Sequence, residues 1–346
     1  MTRQPGRRAV LGGLTALALL GASACSQEPE MPMVEDDLGD DPWRLPADGH
    51  DHERTWMAYG ATRAQWAGDL DRARAAVAAI AAAITPFEPV SMLVRPDEAA
   101  EARDRLGESV TLVETELADL WIGRSGPTFV TENRRLGALA HGASSGDDDG
   151  TRVPSVVADR AGARPVRTEL MIEGGALSVD GGGTALLAES AVLGGERNPG
   201  WDKDAVEREL DLLLGLRTII WLPGEAQRDG RGGGRYARFA GKGTVLAARP
   251  GTAGAGADEI IRSQVEVLRE ARDTDGDSLK VISVSAESLD YYVCNGGLIL
   301  PKGVDAAARE ALTELYPDHT VTEVDAEVLA SGGGISDAAL AQPALS

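Results

Sequence analysis

The sequence predicts an α/β fold closed into a ring, and three observations carry that prediction. A unit of amphipathic helix, short turn and β-rich strand recurs five times. Between these units lie hairpin-like pieces whose β-prone residues are joined through Gly, Asn or Asp turns. From Trp43 onward no composition break marks a domain boundary, and the remaining ~300 residues are ample for a large core.

Residues 1–24 read as an export signal that stands apart from the fold. Arg3, Arg7 and Arg8 supply a positive start, and AVLGGLTALALLGASA is apolar but too short and Gly-rich for a good membrane span. The Arg7–Arg8 pair resembles a twin-arginine signal. Cys25 follows Ala22-Ser23-Ala24, which fits an A-x-A cleavage site or a loose lipobox with Cys25 as the lipidated residue. Residues 25–42, with the acidic run SQEPEMPMVEDDLGDDP, read as a disordered tether. Residues 43–343 are then a single domain.

Within that domain the units follow in order. AQWAGDLDRARAAVAAIAAAI leads to PVSMLVRP, and DEAAEARDRLG to SVTLVETEL. DKDAVERELDLLLG leads to RTIIWLPG, ADEIIRSQVEVLREARD to LKVISVSA, and DAAAREALTELYP to HTVTEVDA. Several of these helices open with Asp, which favours the positive end of the helix dipole. The hairpin-like pieces are GPTFVTENRRLGALA, GALSVDGGGTALLAE, RYARFAGKGTVLAA and NGGLILP, while residues 141–154 (HGASSGDDDGTRVP) read as a loop.

Charge and composition narrow the function. The formal charge is −21, and removing residues 1–24 takes away three arginines and no acid, which leaves −24. A chain this acidic repels nucleic acid and anionic lipid, so the one membrane contact expected is a lipid on Cys25. The two cysteines are Cys25 and Cys294, so the mature body holds one thiol and no internal disulfide. The four histidines never show metal spacing, and no metal or cofactor is expected.

Several stretches, taken in order, resemble one family. They are HERTWMAYG (52–60), DLWIGRSGPTFV (119–130), EGGALSVDGGGTALLAES (173–190), ERNPG (196–200), YARF (236–239), NGGLILP (295–301) and the terminal SGGGIS. Together they are similar to the agmatine deiminase family, grouped with the Porphyromonas-type peptidyl-arginine deiminases. The resemblance implies a five-bladed α/β propeller, pentein-like with fivefold pseudosymmetry, in agreement with the rhythm above. It also implies hydrolysis of a guanidinium group to a urea and ammonia. Such chemistry needs carboxylates to hold the planar cation, a thiolate to attack its carbon and a His to shuttle protons.

The residues that would do this chemistry are largely replaced. The family's GGGxIHC ends here in Ser336 and Asp337 in place of His and Cys, so the nucleophile is gone. Its HxD before ARF falls on Gly232 and Gly234. Its W-x-R-D-x-G-P places Gly123 and Arg124 at the arginine and substrate-carboxylate positions, after the retained Trp121. Glu173 of the EGG motif is the one catalytic side chain carried over. Trp121, Glu173 and Arg124 are the expected ligand contacts. Arg124, with Arg231 and Arg235, is expected to make the cleft favour a small anion over a guanidino compound.

Three readings stand at this point: an exported pseudoenzyme that binds a small ligand, an active hydrolase with a site rearranged around Cys294 or Asp337, and a surface-displayed interaction module. The export reading is checked by mass spectrometry of the protein from native cells. The mature N-terminus is expected at or near Cys25, and an intact leader on cytoplasmic protein would refute it.

Overall fold

In the computed structural model, residues 43–139, 152–172, 176–193, 198–224, 236–253, 256–330 and 332–345 are described. All of them fall in the unit Gly39–Ser346. The β-rich runs become strands in chain order. The first are β1 (His52–Ala58), β2 (Val90–Val94) and β3 (Val110–Glu114). Next come β4 (Thr128–Glu132), β5 (Arg135–Leu139) and β6 (Arg164–Val166), then β7 (Leu177–Val179), β8 (Thr184–Ala188) and β9 (Thr218–Leu222). After them stand β10 (Ala237–Gly241), β11 (Thr244–Ala248) and β12 (Lys280–Val284). The last are β13 (Tyr292–Cys294), β14 (Gly297–Pro301), β15 (Thr320–Val324) and β16 (Ala339–Pro343).

These strands form five sheets, ordered β16-β1-β2-β3, β4-β5-β6, β7-β8-β9, β10-β11-β12 and β13-β14-β15. Each sheet begins with an antiparallel pair and continues with a parallel one. A parallel pairing needs a crossover, and a helix supplies it every time, for example Leu70–Ile84 between β1 and β2. The Asp expected at helix starts caps two of these crossovers: Asp202 accepts from the Ala205 N–H and Asp305 from the Ala307 N–H, each at 2.8 Å.

Five apolar clusters show how the sheets are arranged. One joins Met57 and Met92 to Tyr292 and Ile299, and another joins Trp56 and Leu93 to Phe129 and Leu136. A third joins Val130 to Val179 and Ala185, a fourth joins Leu186 and Ile220 to Phe239 and Val245, and a fifth joins Leu246 to Val293 and Leu298. Each sheet therefore shares a core with the sheet before it and the sheet after it, and the series returns to its start. This is a five-bladed α/β propeller. Because each blade is buried on both faces, its central strand is nearly all apolar, as in VSMLV, TALLA and TVLAA.

The fivefold count agrees with the sequence reading, but two of its units were placed differently. The first two helix–strand units both belong to the opening blade, which gains β3 as a fourth strand. The second blade takes its crossover from the helix Val153–Ala161, so Val153 and Pro154, expected at the end of a loop, are helical. Proline in a first turn forfeits no hydrogen bond, and Val153 and Val157, four apart, bury one face. The other difference lies at residues 64–84, where the single expected helix is broken. A turn at Arg63–Trp66 and a 3-10 turn at Ala67–Asp69 precede Leu70–Ile84.

The ring is closed by β16, which pairs antiparallel with β1 so that Trp56 faces Leu340 and Met57 faces Ala339. The Trp56 Nε1–H donates to Gln342 Oε1 at 2.9 Å. Just beyond β1, Gly60 lies so close to the backbone of residues 119–120 that a Cβ there would sit 1.7 Å from the Asp119 carbonyl oxygen. Trp56 is 1% exposed. Trp56→Ala is expected to cost about 3–5 kcal/mol, seen as a lower urea midpoint, and a change under about 1 kcal/mol would show that closure does not depend on this contact.

Candidate functional site

The first strand of every blade lines a cavity of about 860 Å³ on the ring axis, through Thr128, Ser178, Arg238, Tyr292 and Leu340. The segment 45–50 completes the wall. It is held by one blade after another: Arg44 bridges to Thr131, and the Asp48 carboxylate meets Arg238 at 2.7 Å. Further along, the Asp48 carbonyl accepts from the Tyr316 hydroxyl at 3.3 Å. Arg238 also donates to the carbonyls of Leu289 and Tyr291, so its guanidinium ties the segment to two blades.

The glycine loop reaches the cavity at a helical turn, Ile335–Ala338. Its anchor is Asp290, whose carboxylate accepts from the N–H groups of Ile335 and Ser336 at 2.9 Å and from the Ser336 hydroxyl at 3.0 Å. Gly334 precedes the turn at φ +94°, and a Cβ there would lie 2.1 Å from Asp290 Oδ2. Only glycine meets both demands. Burial pushes the Asp290 carboxyl above the ordinary aspartate range, against the pull of its hydrogen bonds and of Arg238. The Ser336 hydroxyl is thus engaged with a carboxylate.

A second turn, Ile122–Ser125, packs on the first. A Cβ on Gly123 would come within 3.1 Å of Asp337 Cα and of the Ser336 and Asp337 carbonyls, so the two backbones touch at that point. The contact brings together three of the predicted site residues. Arg124 Nε stands 3.7 Å from Asp337 Oδ2, and its guanidinium carbon lies 5.2 Å from the centre of the Trp121 ring. Gly123, Arg124, Ser336 and Asp337 all line the cavity. Glu173, Gly232, Gly234, Arg231, Arg235 and Cys25 lie outside the described residues.

Of the three arginines expected to enrich the cleft in cationic donors, Arg124 is faced by Asp337, and Arg231 and Arg235 lie outside the described residues. Among the described lining residues, Arg124, Arg238 and Lys302 stand against Asp48, Glu287, Asp290, Asp325, Glu327 and Asp337. The described part of the lining is acidic on balance.

His52 lines the cavity, and Cys294 belongs to the wall behind it. Cys294 is 2% exposed and does not line the cavity. Burial, and then the charge of Glu88, pushes its thiol up to about 12. His52 Nδ1 is hydrogen-bonded to Glu88 at 3.0 Å, and Glu88 also accepts from the Thr55 hydroxyl and the Asn295 N–H. Burial alone would raise the Glu88 carboxyl, but those bonds and His52 bring it below the ordinary range. Asp290 and Glu88 carry no local signal as anchors, since neither sits in a motif whose spacing implies a partner. Among the described residues, no group of three His, Cys, Asp or Glu side chains could hold a metal ion.

Comparison with known proteins agrees with this geometry. The family model for Porphyromonas-type peptidyl-arginine deiminase matches residues 44–342. A Streptomyces coelicolor protein named as a candidate agmatine deiminase is 39% identical over 341 residues, covering 84% of this chain and 96% of the relative. The agmatine deiminase of Pseudomonas aeruginosa is 30% identical over 358 residues, covering 88% and 96%. The solved agmatine deiminase of Enterococcus faecalis superposes with a TM-score of 0.78 at 22% identity, covering 88% of this chain and 97% of that one, and so shares the fold. With match and fold in agreement, the chain belongs to the agmatine deiminase family, the guanidino-group hydrolases that include the Porphyromonas-type peptidyl-arginine deiminases.

Proposed function

We propose that this protein is an exported member of the family that has lost guanidine hydrolysis and uses its axial cavity to bind a small organic cation. The observation that carries this reading is the Arg124–Asp337 pair. By the resemblance, Asp337 stands at the nucleophile position and Arg124 at that of a carboxylate that holds the substrate. A carboxylate facing a guanidinium is a weak nucleophile, and an arginine at a cation's seat repels the cation. Residues of a catalytic set act as a unit, so loss of the nucleophile and its partners removes nearly all rate.

Two further observations support the reading. The thiol that a rearranged site would need, Cys294, is buried behind the wall and held protonated at neutral pH. The acidic balance of the described lining favours cations over the anions that Arg124, Arg231 and Arg235 suggested in the sequence.

Ammonia release from agmatine, or citrulline formation from peptidyl-arginine, is expected to match a buffer blank. Turnover abolished by Glu173→Gln or Cys294→Ala would overturn the loss of hydrolysis. In thermal-shift titrations agmatine and diamines are expected to stabilise the protein more than matched dicarboxylates, and the opposite order would overturn the cation reading. Iodoacetamide at about pH 8 is expected to leave Cys294 unmodified in the folded protein and to label it in urea. Rapid labelling of the native protein would bring Cys294 back as a nucleophile.

A further inference from the structure

Arg124 has neighbours that together make a seat for a planar cation. Its guanidinium lies 5.2 Å from the Trp121 ring centre, within the reach of cation–π attraction. The Asp337 carboxylate stands 3.7 Å from Nε. The backbone of Gly332 and Gly333 runs against the same indole: a Cβ on Gly332 would sit 2.1 Å from the ring, and one on Gly333 2.6 Å from Asp337 Oδ2. The Arg124 and Asp337 side chains are only 19% and 15% exposed, and both line the axial cavity. An aromatic face and a carboxylate, held together by a glycine backbone, would recognise a guanidinium ion arriving from solution. Here the guanidinium is supplied by the chain itself.

We propose that Arg124 is a built-in ligand. It fills the guanidinium seat formed by Trp121 and Asp337, and a free guanidinium compound enters only when the Arg124 side chain swings out into the cavity. This rests on the reading of the cavity as a binder of organic cations. A site open for only a fraction of the time binds with an affinity reduced by that fraction, so a seat closed nine-tenths of the time weakens binding about tenfold. The exclusion falls hardest on guanidinium ions, whose flat faces stack on the indole. Compact ammonium ions depend less on the seat and can use the other carboxylates of the lining.

Calorimetry of the wild-type protein and Arg124→Ala, with methylguanidine and methylamine as probes, tests this. Methylguanidine is expected to bind the variant about tenfold more tightly or better, methylamine is expected to gain less, and Arg124→Ala combined with Asp337→Asn is expected to lose the gain. Equal gains for the two probes would reduce the effect to removal of a charge and overturn the proposal, as would an unchanged methylguanidine affinity. Should Arg124→Ala fail to fold, Arg124→Met keeps the apolar stem and is read in the same way. The two readings fail separately. A wild-type protein that binds neither probe beside a variant that binds methylguanidine would sink the cation reading of the native cavity and leave the built-in ligand standing. Equal, tight binding of methylguanidine to both proteins would do the reverse.

Discussion

β16 returns to β1 with Trp56 opposite Leu340 and Met57 opposite Ala339, and the ring stays shut through this pairing. The features of the cavity hang from it. The glycine loop comes immediately before β16, so closing the ring carries the turn Ile335–Ala338 to Asp290 on one side and to the turn Ile122–Ser125 on the other. Gly60, at the far end of β1, fixes the backbone of Asp119 and hence the approach to Trp121. A contact between chain segments more than two hundred residues apart is thus set by a single strand register.

The functional consequence lies in a pair of charges. A guanidine hydrolase needs a nucleophile facing a bound cation, with carboxylates around that cation. Here the Asp337 carboxylate, which the motif resemblance puts at the nucleophile position, faces an arginine of the same chain. Around this pair the glycines admit the Trp121 indole, and Asp290 holds the turn. Scaffold and chemistry are separable because backbone hydrogen bonds and apolar cores hold the first, while a handful of side chains carry the second.

How much of this was legible in the sequence depended on which residues carried a local signal. The fivefold rhythm could be read because helices and central strands show their burial as periodicity, as the apolar VSMLV and TVLAA do. The blade that was misplaced has a short helix after an acidic, Gly-rich stretch and a three-residue strand, Arg164–Val166, too brief to show any period. β16, ALAQP, was missed because its identity as a strand comes from pairing with β1 rather than from propensity. In the site, Ser336, Asp337, Gly123 and Arg124 were found by position in motifs. That Arg124 would be met by Asp337 was not foreseen, since the two are distant in sequence and joined only by the folded ring. Asp290 escaped for the same reason: its partners are the backbone N–H groups of a turn 45 residues away.

His52 lies opposite Pro343 in the closing pair. The first and last strands of the ring are therefore side by side, and each blade meets its neighbours through the same kind of shared core. A ring built in this way has an order but no intrinsic beginning. Moving the break in the chain from this seam to another junction between blades, with the present ends linked, would keep the same five cores. What the fold fixes is the circular succession of blades, and the place where translation starts is free to differ.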